Sequence, residues 1–249
     1  MNHTIILNKL EELNLKGAKQ AYTYQMEDTN FHSLSFEDRL YNLLDAQDIF
    51  ANNKRIETNL RLSKIKNKQA LLEDLDYDTK RQLNKSQILS LANMDFIRKH
   101  QNIIITGKTG CGKSYLAQAL AIRAIHEGFT AYYIRTATLL EDIKLSRIDG
   151  SFTNLLKKFA RYKLLILDDF GVSSISSDDA ANLFEVIETR SQLSSTIITS
   201  QLPVKDWYGF LQNNTIADAI LDRVVNSSHR ITLEGESLRP KYDGVNKTY

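Results

Sequence analysis

Ile103-Ile104-Ile105-Thr106-Gly107-Lys108-Thr109-Gly110-Cys111-Gly112-Lys113-Ser114 is the stretch on which the fold turns. A β-branched run passes straight into G-x-x-x-x-G-K-[ST] with no departure, and helical spacing follows to about Glu127, with Gly128 placed to cap it. Strand, loop and helix in that order make a phosphate-binding loop. Gly107, Gly110 and Gly112 let backbone N–H groups turn inward around an anion, and the start of the helix favours negative charge. Lys113 is expected to face the β- and γ-phosphates, and Ser114 to offer its hydroxyl to Mg²⁺. Lys108, Thr109, Cys111 and Tyr115 complete the expected nucleotide contacts, with ATP as the ligand. Cys111 reads either as a small residue that fits the loop or as a thiol activated by the helix N-terminus.

About fifty residues on, Lys163-Leu164-Leu165-Ile166-Leu167-Asp168-Asp169 is a buried-strand pattern ending in two carboxylates. Asp168 is expected to hold the water shell of Mg²⁺, and Asp169 to polarise the water that attacks the γ-phosphate. A solvated acidic turn is the plainer reading. Aspartate is one methylene shorter than the glutamate common at the second position, which fits slow or partner-stimulated turnover. Further apolar runs at 103–106, 131–134, 164–167 and 196–199 alternate with helical patterns, so the expected class is α/β: a parallel sheet flanked by helices. The run through Thr199 ends in Ser200-Gln201, short polar groups placed to sense a γ-phosphate or to finish a strand. Arg223 reads as a surface ion-pair residue or as an arginine offered across a subunit contact, and Arg239 as a similar group acting within its own subunit.

Toward the N-terminus the pattern becomes helical. Residues 4–28 suit two short helices broken at Gly17; Ser35 and Asp38 form a capping-box-like pair before Phe36, Leu40, Leu43, Leu44 and Phe50 at helical spacing. The next window holds Lys54, Arg55, Arg61, Lys64, Lys66 and Lys68 against Glu57 alone, a cationic side of a helix suited to a phosphate backbone or simply a solvated face. Lys144 and Arg147 are a second candidate DNA contact. The expected division is a small all-α N-terminal domain over 1–70, a linker over 71–95, the nucleotide domain over 96–240 and a flexible tail over 241–249.

Bulk properties exclude several classes. The net charge of +2 leaves nucleic-acid attraction to local patches, and the single cysteine excludes an internal disulfide framework. The five histidines are too scattered for local metal spacing. No run approaches the roughly 20 apolar residues of a membrane helix, so the expectation is a cytoplasmic protein with no membrane partner.

Beyond the two nucleotide elements, the chain resembles the IstB-type helper ATPases of insertion sequences, kin of the DnaC helicase loaders within the AAA+ superfamily. The matching residues are Leu34-Ser35-Phe36-Glu37-Asp38-Arg39-Leu40, Leu167-Asp168-Asp169-Phe170-Gly171, Thr199-Ser200-Gln201-Leu202-Pro203 with Trp207, Ala219-Ile220-Leu221-Asp222-Arg223, and Gly235-Glu236-Ser237-Leu238-Arg239. The resemblance implies an AAA+ core behind a helical N-terminal domain. It also implies ATP-dependent homo-oligomers on double-stranded DNA with little sequence preference, and assistance to a cognate transposase. In that setting Arg223 matches a trans-acting arginine finger, Ser200 and Gln201 a first sensor, and Arg239 a final sensor-like arginine. Gln201 departs from the usual asparagine, and Leu238 from a common aromatic. A replicative helicase loader is the alternative, separated by a preference for single-stranded DNA and a stable complex with a helicase; a small-molecule kinase lacks an evident acceptor site.

Overall fold

In the computed structural model, which describes residues 3–77, 82–172 and 174–238, the apolar runs become strands β1 (Asn102–Gly107), β2 (Ala131–Arg135), β3 (Leu164–Phe170) and β4 (Ser195–Ser200). A further strand, β5 (Ser228–Leu233), joins them in the order β2-β3-β4-β1-β5, every neighbour parallel. The three inner strands are covered on both faces, which is why Ile103–Ile105 and Leu164–Leu167 are continuous apolar runs and the shorter Ile197-Ile198 pair of β4 does not alternate with polar residues. Because β4 lies between β1 and β3, the loop after β1 and the carboxylates ending β3 meet at one carboxyl edge, the crevice where open α/β sheets bind ligands.

Helices α6 (Lys113–His126), α7 (Thr136–Ile148), α8 (Phe152–Ala160), α9 (Ser177–Arg190), α10 (Trp207–Leu211) and α11 (Asn214–Val225) connect or cover the strands. Gly128, at φ 89°, ends α6 as expected: its N–H bonds to Ile125 O, and that of Phe129 to Ala124 O. Phe170, Trp207 and Phe210 stack over the end of β3, with ring centroids 4.5 and 4.8 Å from Phe170. Buried Arg190 closes the far end: its guanidinium donates to the carbonyls of Phe159, Tyr162 and Ser195, tying α9 to α8 and β4.

The N-terminal region is helical: α1 (His3–Glu12), α2 (Lys16–Glu27), a short 3₁₀ segment (Thr29–Ser33) and α3 (Phe36–Leu62). Ser35 caps α3 with Asp38, as their spacing implies. The helix break expected at Gly17 falls at Asn14, φ 56°; Gly17 lies inside α2, where any Cβ would stand 2.5 Å from Ala46 O. There Gln47 of α3 accepts the N–H groups of Gly17 and Ala18, which no helical carbonyl can reach. On α3, Leu43, Ala46 and Phe50 are half-buried, whereas Phe36, Leu40 and Leu44 are exposed.

The chain divides into two units, one ending at Thr58 and the other beginning at Asn59. Residues 59–70, expected with the N-terminal domain, therefore belong to the sheet unit, where Ser63, Ile65 and Ala70 are buried. The stretch over 71–95, expected as a linker passing into a helix near Ser86 to Leu91, carries α4 (Lys85–Ala92), capped by Asn84 and anchored by Ile88 and Leu91; the single turn α5 (Asp95–Arg98) starts at its end. The expected tail lies outside the described residues. No described helix is long and apolar enough to cross a membrane.

Candidate nucleotide site

The loop from Gly107 to Gly112 is wound by three glycines at φ 150°, 82° and 100°, for residues 107, 110 and 112. Gly110 shows the constraint most sharply: a Cβ there would lie 2.2 Å from Ser237 Oγ, while its carbonyl accepts the N–H of Leu238 at 2.9 Å. Lys108 and Thr109 are exposed, and Cys111 is buried. The Lys113 ammonium bends back onto the loop and donates to Gly107 O at 2.8 Å and Lys108 O at 2.7 Å. A buried cation whose partners are neutral carbonyls suits a polyanion lying in the loop.

Asp168 is the other pole. It is 2 % exposed, and hydroxyls converge on it: Ser114 Oγ donates to Oδ1 at 2.7 Å, Thr199 Oγ1 to Oδ1 at 2.5 Å, and Tyr133 Oη to Oδ2. Thr136 Oγ1 donates to its carbonyl at 3.1 Å. Burial, followed by the bond to Asp168, pushes the Tyr133 phenol far above its ordinary value, so it remains a donor. A carboxylate beside a serine hydroxyl is an all-oxygen donor pair, suited to a hard cation such as Mg²⁺. Asp169 follows with φ 58°, a left-handed conformation that aspartate adopts more readily than most side chains, held by its N–H bond to Thr199 Oγ1 at 3.1 Å. Its half-exposed carboxylate lies 3.8 Å from Arg135 Nε.

A cavity of about 350 Å³ joins these parts; Thr109, Lys113, Ser114, Asp169 and Gln201 line it. A smaller, mainly apolar one of about 240 Å³, lined by Leu75, Leu83, Cys111 and Leu233, shares Gly112, Tyr115 and Leu238 with it. Tyr115, expected in the nucleotide set, lines both and bonds through its hydroxyl to Leu71 and Asp74.

Other expected residues fall elsewhere. Ser200 is fully buried, and its hydroxyl is spent within the backbone, donating to Phe170 O and accepting from Leu202 N; only Gln201 of the pair faces the cavity. Arg223 sits on α11 and pairs with Glu188 of α9, its guanidinium 4.8 Å above the Phe184 ring. That bond, above all, holds the Glu188 carboxyl below the usual range. Arg239 lies outside the described residues. The cationic window does not form one helical side: Lys54, Arg55 and Arg61 project from α3, the chain then turns at Lys64 (φ 59°), and Lys66 and Lys68 follow in the loop. A left-handed residue directly after the last turn ends the helix, so Lys66 and Lys68 do not continue the helical spacing of Lys54, Arg55 and Arg61. Lys144 is paired with Asp179 at 3.0 Å, and Arg147 bonds Asn182 and stacks 3.6 Å over Phe152. Sequence reasoning missed Thr199, Tyr133 and Arg135, whose partners are distant in the chain.

A glycine-wound loop between strand and helix, a buried lysine folded over it, and a carboxylate facing it from a non-adjacent strand define a P-loop ATP-binding protein of the AAA+ fold. Residues 8–244 match the family profile described as IstB-like ATP binding protein, and the chain belongs to that family. It is 41% identical over 197 residues to an ATP-binding protein of insertion sequence IS1162 from Pseudomonas fluorescens, covering 79% of this chain and 85% of that one. An insertion-sequence ATP-binding protein of Sinorhizobium fredii is 37% identical over 94% of this chain and 95% of its own length. The crystal structure of DnaI is similar in fold, with TM-score 0.57 and 20% identity over 67% of this chain and 92% of that one.

Proposed function

We propose that this chain is an ATPase that assembles in several copies on double-stranded DNA and assists the transposase of its insertion sequence in choosing and entering a target. The observation that carries the ATPase reading is the pairing of Ser114 with Asp168 across the loop, with Asp169 next in line and facing the same cavity. Insertion-sequence names among the relatives favour the transposition role over helicase loading.

In this reading the triphosphate lies along 107–114, bound by backbone N–H groups and by Lys113, and the base enters the apolar cavity beside Cys111 and Leu238. Ser114 and Asp168 would hold Mg²⁺, which neutralises charge on the β- and γ-phosphates when bound. Asp169 orients a water whose oxygen attacks the γ-phosphorus, and it takes the water's proton as the bond to the bridging oxygen breaks. Gln201 offers its amide to the γ-phosphate, and Arg239 a further charge from the same subunit. Arg223 would act on a neighbouring copy, which requires it to leave Glu188.

The test pairs calorimetry using ATP and magnesium with electron microscopy of the protein on duplex DNA, for the unaltered chain and Lys113→Ala. We expect heat of association and assemblies on DNA for the unaltered protein, and neither for the variant. A folded, unaltered chain that takes up no ATP overturns the reading, and assembly undiminished in Lys113→Ala separates DNA binding from the nucleotide.

A further inference from the structure

Tyr133 belongs to two networks. Its phenol donates to Asp168 Oδ2, and its backbone N–H donates to Ser63 O at 2.7 Å, in the turn directly after α3. Strand β2 is an edge of the sheet, so that N–H faces outward, and the strap 63–67 is what satisfies it. The strap is fastened a second time. The N–H groups of Lys66 and Asn67 donate to Gln118 Oε1 at 3.1 and 2.9 Å, and Gln118 Nε2 donates to Ser114 O at 3.0 Å. Ser114 Oγ in turn donates to Asp168, so hydrogen bonds at least partly shielded from solvent lead from the strap to both oxygen groups of the expected magnesium site.

Covering an edge strand needs only the Ser63 carbonyl. Gln118 is 7 % exposed, yet it spends its acceptor on the strap and its donor on the carbonyl of Ser114. Sheet closure gives no reason for that arrangement. The strap also has little slack: Ser63 is fully buried, its hydroxyl accepts the N–H of Ile65, and Lys66 Nζ lies 5.8 Å from the centre of the Tyr133 ring. Close-packed hydrogen-bonded groups pass on displacements of a partner instead of absorbing them.

We infer that Tyr133 is a positioning residue for the Asp168 carboxylate, and that the strap 63–67 is fastened so that its order follows the binding of magnesium and nucleotide at Ser114 and Asp168. This rests on the ATP and magnesium reading above and adds a route by which the state of the site reaches the chain segment next to α3.

Hydrogen exchange on the full chain tests it, using a non-hydrolysable ATP analogue with and without magnesium. In the unaltered protein, magnesium should slow exchange across 63–67 about tenfold, the effect of one hydrogen bond to a charged group. Tyr133→Phe keeps the ring and its volume; we expect it to bind the analogue without magnesium as before, to need about tenfold more magnesium for saturation, and to lose the response of the strap. Gln118→Met should keep the magnesium requirement and lose only that response. An unchanged magnesium requirement in Tyr133→Phe would make the tyrosine a plain core residue. A strap in the unaltered protein that ignores magnesium removes the coupling, with no variant needed. Failure of the unaltered, folded chain to bind the analogue at all is a separate result, which overturns the ATP reading on which this one stands.

Discussion

Thr199, Ser200 and Gln201 are consecutive, and their side chains do three different things. Thr199 Oγ1 donates to Asp168 and accepts from Asp169 N, Ser200 Oγ ties the ends of β3 and β4, and Gln201 alone stands in the cavity. Replacing Ser200 by alanine removes a hydroxyl with a donor and an acceptor role, both buried, and should cost about 1–3 kcal/mol of stability with little change in nucleotide affinity. Replacing Gln201 by alanine should lower turnover and leave stability nearly unchanged, because its side chain is exposed. Urea midpoints and phosphate release measured on both variants decide it; a Ser200→Ala protein that is equally stable but slower would return the sensing role to the serine. The sequence could expose the loop but not this division of labour. Gly110 and Lys113 are constrained by neighbours a few residues away, so a short pattern carries them. Thr199 and Tyr133 meet Asp168 from positions more than thirty residues distant, and nothing local in a strand-end threonine or an apolar-run tyrosine marks that meeting.

Elements were legible in proportion to their burial. β1 and β3 show as unbroken apolar runs and β4 as paired isoleucines between threonines, whereas β5 reads Ser-His-Arg-Ile-Thr-Leu, with only Ile231 and Leu233 buried, and gives no such run. The end of α3 was missed because Lys64 takes a left-handed turn without glycine, a choice made by what Ser63 and Ile65 must bury. Between α9 and α11 the Glu188–Arg223 pair makes a prediction of its own. The folded carboxyl is held below its ordinary value by Arg223, so its contribution is complete above that value and is lost as pH falls through the lowered one. The pair is partly exposed and screened, and Glu188→Gln should cost no more than about 1 kcal/mol and flatten that acid limb in thermal melts. The same variant frees Arg223, so turnover should hold or rise. Arg223→Ala, in contrast, should keep nucleotide affinity while turnover falls by about a thousandfold or more, the range of an arginine acting on the transferred phosphoryl group. Equal loss of turnover in Glu188→Gln and Arg223→Ala would make the pair a clasp between helices and nothing else.

For the whole molecule, the proposed DNA binding turns on where a chain with a net charge of only +2 presents unpaired cations. Lys144 is paired with the Asp179 carboxylate, and Arg147 is held by the neutral Asn182 amide and the Phe152 ring, so both side chains are engaged within the fold and the charge of Lys144 is matched there. Burial opposes the Asp179 carboxylate, yet Lys144 and Ser176 together still hold it below the usual range, and Lys144 could leave only at some cost. Lys54, Arg55 and Arg61 are exposed on α3, and no carboxylate is paired with them among the described contacts. Phosphate contacts release counterions, and each one lost flattens the dependence of log affinity on log salt by about 0.9. Substituting those three by glutamine should therefore lower both affinity and slope, by nearly 3 in slope if every one of them touches a phosphate in each copy, and by more where several copies bind together. Lys144→Gln with Arg147→Gln should instead lower thermal stability and leave the slope nearly as it was. Anisotropy of a labelled duplex titrated between about 50 and 200 mM salt reads both. An unchanged slope in the α3 variant alongside a flattened one in the α7 variant would place the proposed DNA contact on α7 and leave the cations of α3 as a solvated face.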